Sequence, residues 1–219
     1  MTRVRLVVLA LTLALSVAAA RGASSPKTIA VSPLEIPDGL DNPEPVRTLF
    51  DSLIAAEVQG SGFTVVPSTE TGAIWKRLVD SVHGFYSALT GELVREKYTA
   101  VVSGTSRELQ DRFHAEVWLR PRIDVVAVRF EGGKARWDGA DEGVEGGANG
   151  TVPALSLVVF AANMGGEQLY QGRGGIQVLR KGGGLKEVPR DKLFKDTKRN
   201  LKALHLALDS LLDRAHRLW

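Results

Sequence analysis

Four carboxylates, Asp138, Asp141, Glu142 and Glu145, stand within one glycine-rich stretch, 138–150. Flexible acidic loops supply the hard oxygen ligands that calcium takes, but the spacing does not match an EF-hand loop, so ion binding competes here with a plain solvated loop. His114 and Glu116 are two apart on an expected strand and would share a face, where they could begin a metal or acid–base site. No further donor accompanies them, and zinc needs several placed ligands. His205 and His216 lie eleven residues apart on the expected last helix, roughly 16 Å by helical rise, too far to hold one ion together.

Two glycine runs, Gly172-Arg173-Gly174-Gly175 and Gly182-Gly183-Gly184-Leu185-Lys186, invite a phosphate-loop reading. Neither has the required spacing or a closing Lys-Ser/Thr before a helix, so both read as sheet geometry. No serine occupies a G-x-S-x-G elbow, and none of the four histidines is placed beside a nucleophile and an acid. Nothing calls for a cofactor. Asn149-Gly150-Thr151 fits the glycosylation acceptor pattern, a match of three residues that assigns no role by itself. The residues best suited to an interface are Trp118, Arg120, Arg122 and Trp137, because aromatic and arginine side chains dominate interface hot spots. The alternative is that the tryptophans pack beneath the segment around them.

These residues need elements to position them. Residues 28–32 read as a strand, and four prolines in 33–45 exclude a helix across that loop. Pro45 suits a first helical turn, after which Val46, Leu49, Phe50, Leu53, Ile54 and Val58 recur at helical spacing up to Gly60 and Gly62. A strand over 63–66 stops at Pro67. A second amphipathic helix follows from 68–71 to Val82, and Leu89 and Leu93 extend helical spacing over 85–97. The β-branched run 98–104 then predicts a core strand. Alternation over 113–119 predicts a half-buried strand interrupted by Pro121, and 123–130 resumes it as far as a Gly132-Gly133 turn into 134–137. The acidic stretch 138–150 reads as a loop.

The centre of the fold is a hairpin over 153–179, with its turn at 163–167 and glycines in the second arm that mark a bulge or a close backbone contact. The last segment, 192–218, carries Phe194, Leu201, Leu204, Leu208, Leu211, Ala215 and Leu218 as one apolar stripe. A stripe this short favours core packing over a coiled-coil seam. The expected fold is therefore α/β: a single domain with a mixed β-sheet, helices packed against it and a long C-terminal amphipathic helix.

The chain has 219 residues, 44% of them apolar, enough for one domain with a real core. Its first twenty residues follow the secretory pattern, with Arg3 and Arg5, an apolar run over 6–15 and a small-residue end at Ala18-Ala19-Ala20. Residues 1–20 are thus expected to be a signal peptide, 21–27 a linker and 28–219 the domain. Without Arg3 and Arg5 the balance is 26 basic against 25 acidic side chains, which argues against nucleic acid as partner. No cysteine is present, so disulfides and a lipid-bearing cysteine are both excluded. A soluble protein of the periplasm or exterior is expected, with no span left after cleavage.

The runs Ile29-Ala30-Val31-Ser32-Pro33-Leu34 and Ser61-Gly62-Phe63-Thr64-Val65-Val66, the segment 98–104, and the hairpin with Gly165-Gly166-Glu167 between Leu157 and Tyr170 resemble the exported TolB amino-terminal/CsgG-like domains of Gram-negative cell envelopes. The resemblance implies an interaction module of secretion, translocation or wall-synthesis machinery, with no shared catalytic residues. Against that pattern, 121–151 is an insertion, and the missing lipid cysteine means membrane tethering does not carry over. The expected function is non-enzymatic: an exported accessory protein binding another envelope protein through a sheet edge or the inserted hairpin. The alternative is a periplasmic small-molecule or ion-binding domain, with the acidic loop and the glycine-rich arm lining its site.

Overall fold

The computed structural model describes residues 27–38, 43–144, 149–181, 186–189 and 192–218. The expected signal peptide and most of the linker lie outside them. Along the chain come β1 (Thr28–Val31), α1 (Pro43–Gly60), β2 (Thr64–Val66), α2 (Ser68–Ser81), α3 (Arg95–Phe113), β3 (Val117–Glu131), β4 (Lys134–Trp137), β5 (Ala140–Gly143), β6 (Asn149–Asn163), β7 (Gln168–Val178), the short pair β8 (Arg180–Lys181) and β9 (Lys186–Glu187), and α4 (Thr197–Leu218). The first seven strands form one mixed sheet. β1 runs parallel to both β2 and β3, and β3 pairs antiparallel with β6 along its whole length, from Val117 opposite Asn163 to Glu131 opposite Asn149. β6 then pairs antiparallel with β7. The mixed sheet, its packed helices and the long C-terminal helix are those expected from the order of elements.

Two faces of this sheet carry different covers. On the first, Leu119, Leu155, Leu157 and Val159 meet Phe50 and Ile54 of α1 and Leu204 and Leu208 of α4 in the main core. On the second, Ala30 and Trp118 meet Ile74 of α2 and Leu109 of α3 at one end. At the other end Val128, Phe130, Val152 and Val178 meet Ala135 and Val144, because the β4–β5 hairpin folds back over the sheet and reaches β7. Its turn carbonyl, on Asp138, accepts a 2.9 Å hydrogen bond from the Gly175 amide. The Glu142 carboxylate accepts one of 2.8 Å from the Val178 amide and pairs with Arg199 of α4 at 2.7 Å.

α4 lies against β7 with almost nothing between the backbones. A Cβ on Gly172 would overlap the Ala207 carbonyl, and one on Gly174 the Ala203 carbonyl. The close contact expected of these glycines is therefore between strand and helix. Gly175 faces the other way, where a Cβ would stand 2.6 Å from that of Ala140. A register shift between Leu155 and Ser156 marks the bulge in the same ladder.

Several local expectations are corrected. The run 98–104 is helical, inside α3: Val101, Thr105 and Leu109 recur every four residues and are buried, so the period of the apolar positions overrides their β-branched character. One of the four segments carrying the family resemblance is thus a helix. Residues 85–94 are a small loop closed by a Tyr86–Leu93 bridge, because His83 and Gly84 take positive φ and end the helical path. Residues 113–116 close α3 and lead into β3, which is buried on both faces at Val117, Trp118 and Leu119. Pro121 does not interrupt β3. Leu119 and Pro121 turn their carbonyls toward Ser32 and Glu35, away from β6, so the missing N–H costs the β3–β6 ladder nothing. The expected loop 138–150 is largely strand, β5 and the start of β6, with 145–148 outside the described residues. α4 starts at Thr197, where the Asp196 carboxylate caps the Lys198 and Arg199 amides. Phe194 precedes it at positive φ, yet still packs edge-on against Phe50 at 6.0 Å.

Gly174→Ala should force α4 off the sheet and lower the free energy of unfolding by about 1–3 kcal/mol or more, read by urea titration. Gly60→Ala, with nothing within 4 Å of its Cβ position, should change it little. A second test concerns Asp51, whose carboxylate accepts from the Leu34 amide (3.0 Å) and the Ser68 hydroxyl (2.6 Å). Burial pushes this carboxyl above the usual range, so its proton is held more tightly folded than unfolded, and its stabilisation is full at low pH and lost as pH rises through the folded-state value. Compared with Asp51→Asn, wild-type stability should therefore gain as pH is lowered from about 7 toward 4.

Candidate interaction surface

Between the two covers of the second face a strip of sheet is left open. Strand alternation brings Arg120, Arg122 and Asp124 of β3 to it, beside Ser156, Val158 and Phe160 of β6, and Arg173 of β7 joins them opposite Val158. Arg122 lies over the Phe160 ring, 4.8 Å from its centroid, and its Nε meets the Asp124 carboxylate at 2.9 Å. Arg173 reaches Asp124 at 3.6 Å and Asp138 at 3.9 Å, and the Ser156 hydroxyl donates to Asp138 at 2.7 Å. Arg120 stacks on Trp118 at 5.4 Å and has no acidic partner among the described residues. Val158 is fully buried beneath this layer. Guanidinium planes backed by aromatic rings, with four charges already in mutual contact, form a surface suited to recognition.

One edge of the same strand is also open. β6 occupies one side of β3 throughout, while on the other side β1 stops at Leu119, Glu35 bridges at Arg122, and β4 pairs only at Phe130 and Glu131. No described strand pairs with residues 124–129 there. Val125 is 51% exposed beside this gap.

Of the sequence candidates, Trp118 is not on the surface. It is 2% exposed, its indole donates to the Ser32 hydroxyl at 2.7 Å, and Trp75 packs on it, because α2 covers the start of β3. Trp137 is half-buried at the rim of the second core and donates to the Leu155 carbonyl at 3.3 Å. Arg120 and Arg122 remain on the strip. The acidic candidates separate: Asp138 turns to Ser156, Asp141 pairs with Arg136, and Glu142 is buried against Arg199 and the Val178 amide. Glu145 lies outside the described residues, and no group of three possible metal ligands occurs among the described residues. His114 caps α3 in the left-handed region, so it does not share a strand face with Glu116. His205 pairs with Glu57 of α1 at 3.3 Å, and the side chain of His216 lies outside the described residues. The second glycine run, 182–184, lies outside them too.

Sequence reasoning did not single out Asp124, Phe160 or Arg173, which long-range pairing brings beside Arg122. It also read Asp138 as loop. The Asp-Gly pair at 138–139, both at positive φ, is a two-residue hairpin turn whose signature was available after the strand 134–137.

No protein-family profile matches the sequence, and no curated protein does. Among solved structures, a lipoprotein of Neisseria meningitidis, GNA1162, aligns at 14% identity and a TM-score of 0.37 over 88% of this chain and 99% of that one. The LpoB C-terminal domain of Salmonella enterica aligns at 17% and 0.32, covering 76% of this chain and 93% of its own. A homolog of the neuraminyllactose-binding hemagglutinin from Helicobacter pylori aligns at 12% and 0.37, covering 87% and 83%. Likenesses this loose say nothing of this chain's task.

Trp118→Ala should cost about 3–5 kcal/mol in urea unfolding, as a buried aromatic does. Arg120→Ala, at the edge of the strip, should cost less than about 1 kcal/mol.

Proposed function

We propose that the chain is a non-enzymatic, exported accessory domain that binds a protein of the cell envelope, in the manner of the TolB amino-terminal/CsgG-like domains that parts of its sequence resemble. The observation that carries this reading is the strip left open between two well-packed covers on one sheet face, holding Arg120, Arg122, Phe160 and Arg173 where apolar cover would otherwise be expected. Interfaces of this composition place a few stacked arginines and aromatics at their centre and are satisfied by a partner's carboxylates and carbonyls. The export signal read in residues 1–20 supports a partner in the envelope. No helix among the described residues is long and apolar enough to cross a membrane. The segment 121–151 contributes both the strand bearing Arg122 and Asp124 and the hairpin that frames the strip, which makes it the specific part of this domain.

Chemical crosslinking in the producing cells, followed by recovery of the tagged mature chain, should yield one envelope protein. Its yield should fall about tenfold or more with Arg120→Ala combined with Arg122→Ala, the size expected when two hot-spot side chains are lost. Arg77→Ala, on the α2–α3 surface, should leave the yield unchanged. Equal recovery with all three proteins, or recovery of no envelope protein, would sink the proposal.

A further inference from the structure

We infer that the open edge of β3 at residues 124–129 is a docking groove for an extended, acidic segment of the partner, which would add as a strand between Glu35 and β4. The inference rests on the partner-binding reading above and names what the partner presents.

Backbone direction is settled by neighbouring hydrogen bonds. The Ser32 amide donates to the Leu119 carbonyl, the Glu35 amide to the Pro121 carbonyl, and the Ile123 amide to the Glu35 carbonyl. Odd-numbered residues of β3 thus face away from β6, and the register to β6 carries no shift over this length. By alternation the amides and carbonyls of Val125, Ala127 and Arg129 point outward as well. The chain itself already uses this side at both ends, through Glu35 and through Lys134 and Ala135 of β4. The gap between them spans six residues, about 20 Å at about 3.3 Å each, the length of a short strand.

Sheet edges are normally blunted by proline, by inward charges or by a covering element. Here none of Val125, Ala127 and Arg129 is proline, Val125 and Ala127 are exposed, and no described element lies over them. Charge supplies the polarity of the partner. Arg129, Glu131, Gly132, Lys134 and Arg136 line one concavity at the far end of the gap. Arg136 is taken by Asp141 at 3.2 Å, whereas Arg129 and Lys134 make no ion pair among the described residues and outnumber the one other carboxylate of the concavity, Glu131 opposite Lys134. A strand seated in the gap would deliver its end to these two cations, so carboxylates there gain and ammonium groups lose.

The test uses the isotope-labelled mature chain with two synthetic peptides, Thr-Val-Thr-Val-Glu-Glu and Thr-Val-Thr-Val-Lys-Lys, blocked at both ends, at low ionic strength. With the acidic peptide, hydrogen exchange at the Val125, Ala127 and Arg129 amides should slow by about tenfold or more. The lysine peptide should bind at least about fivefold more weakly. Ala127→Pro removes only an outward amide, so it should abolish binding while unfolding cooperatively in urea. Arg129→Ala with Lys134→Ala should keep the edge protection and erase the charge preference, which holds the test open if the proline variant fails to fold. No protection at these three amides, or equal binding of both peptides to the wild type, overturns the inference. If the edge takes no peptide while Arg120 and Arg122 still govern recovery of an envelope protein, the strip reading stands and the edge reading falls. If the edge takes the acidic peptide but no envelope protein is recovered, the reverse holds.

Discussion

The contact on which the rest of this structure depends is the one between β7 and α4, where Gly172 and Gly174 bring a strand backbone against the Ala207 and Ala203 carbonyls of a helix. Any side chain at those two positions would lift the helix. With the helix seated, Leu204, Leu208, Leu211 and Leu212 enter the main core, so the described part of the apolar stripe of α4 is spent on intradomain packing. A glycine lacks a side chain to bury and costs chain entropy, so its use here exchanges local stability for a close approach that lets much larger apolar surfaces meet.

The same strand is gripped from its other side. Gly175 admits Ala140 and the Trp137 carbonyl, and Glu142, buried in β5, takes the Val178 amide on one side and Arg199 of α4 on the other. One carboxylate therefore ties hairpin, strand and helix together. A buried charge is tolerated when paired and hydrogen-bonded. This accounts for an acidic residue within what reads, by composition, as a solvated stretch.

The long β3–β6 ladder is wider than either cover of the second face. α2 and α3 shield its start and the β4–β5 hairpin its end, so side chains in the middle meet neither. Charged residues sit there, over Val158, and hold one another in place across three strands. The open strip and the open edge of β3 thus have one cause: two strands of fifteen residues with shorter elements laid across them.

Apolar periodicity alone determined α1, α2, the hairpin of β6 and β7 and the body of α4, because local spacing specifies which face must be buried whatever buries it. Turn chemistry did the same for the Gly132-Gly133 hairpin. Composition misassigned 98–104, where β-branched residues at a four-residue period pack as a helix, with Gly104 allowing Leu78 to approach to 3.2 Å of its Cβ position. It also misassigned 138–150, where acidic character hid two strands. Arg120 and Arg122 were legible as interface candidates from their types, and the structure places both on the open strip. That Trp118 lies under α2 while Asp124, Phe160 and Arg173 gather around Arg122 was decided only by the tertiary structure, since residues as far apart in sequence as 122 and 173 become neighbours solely through the register of three strands.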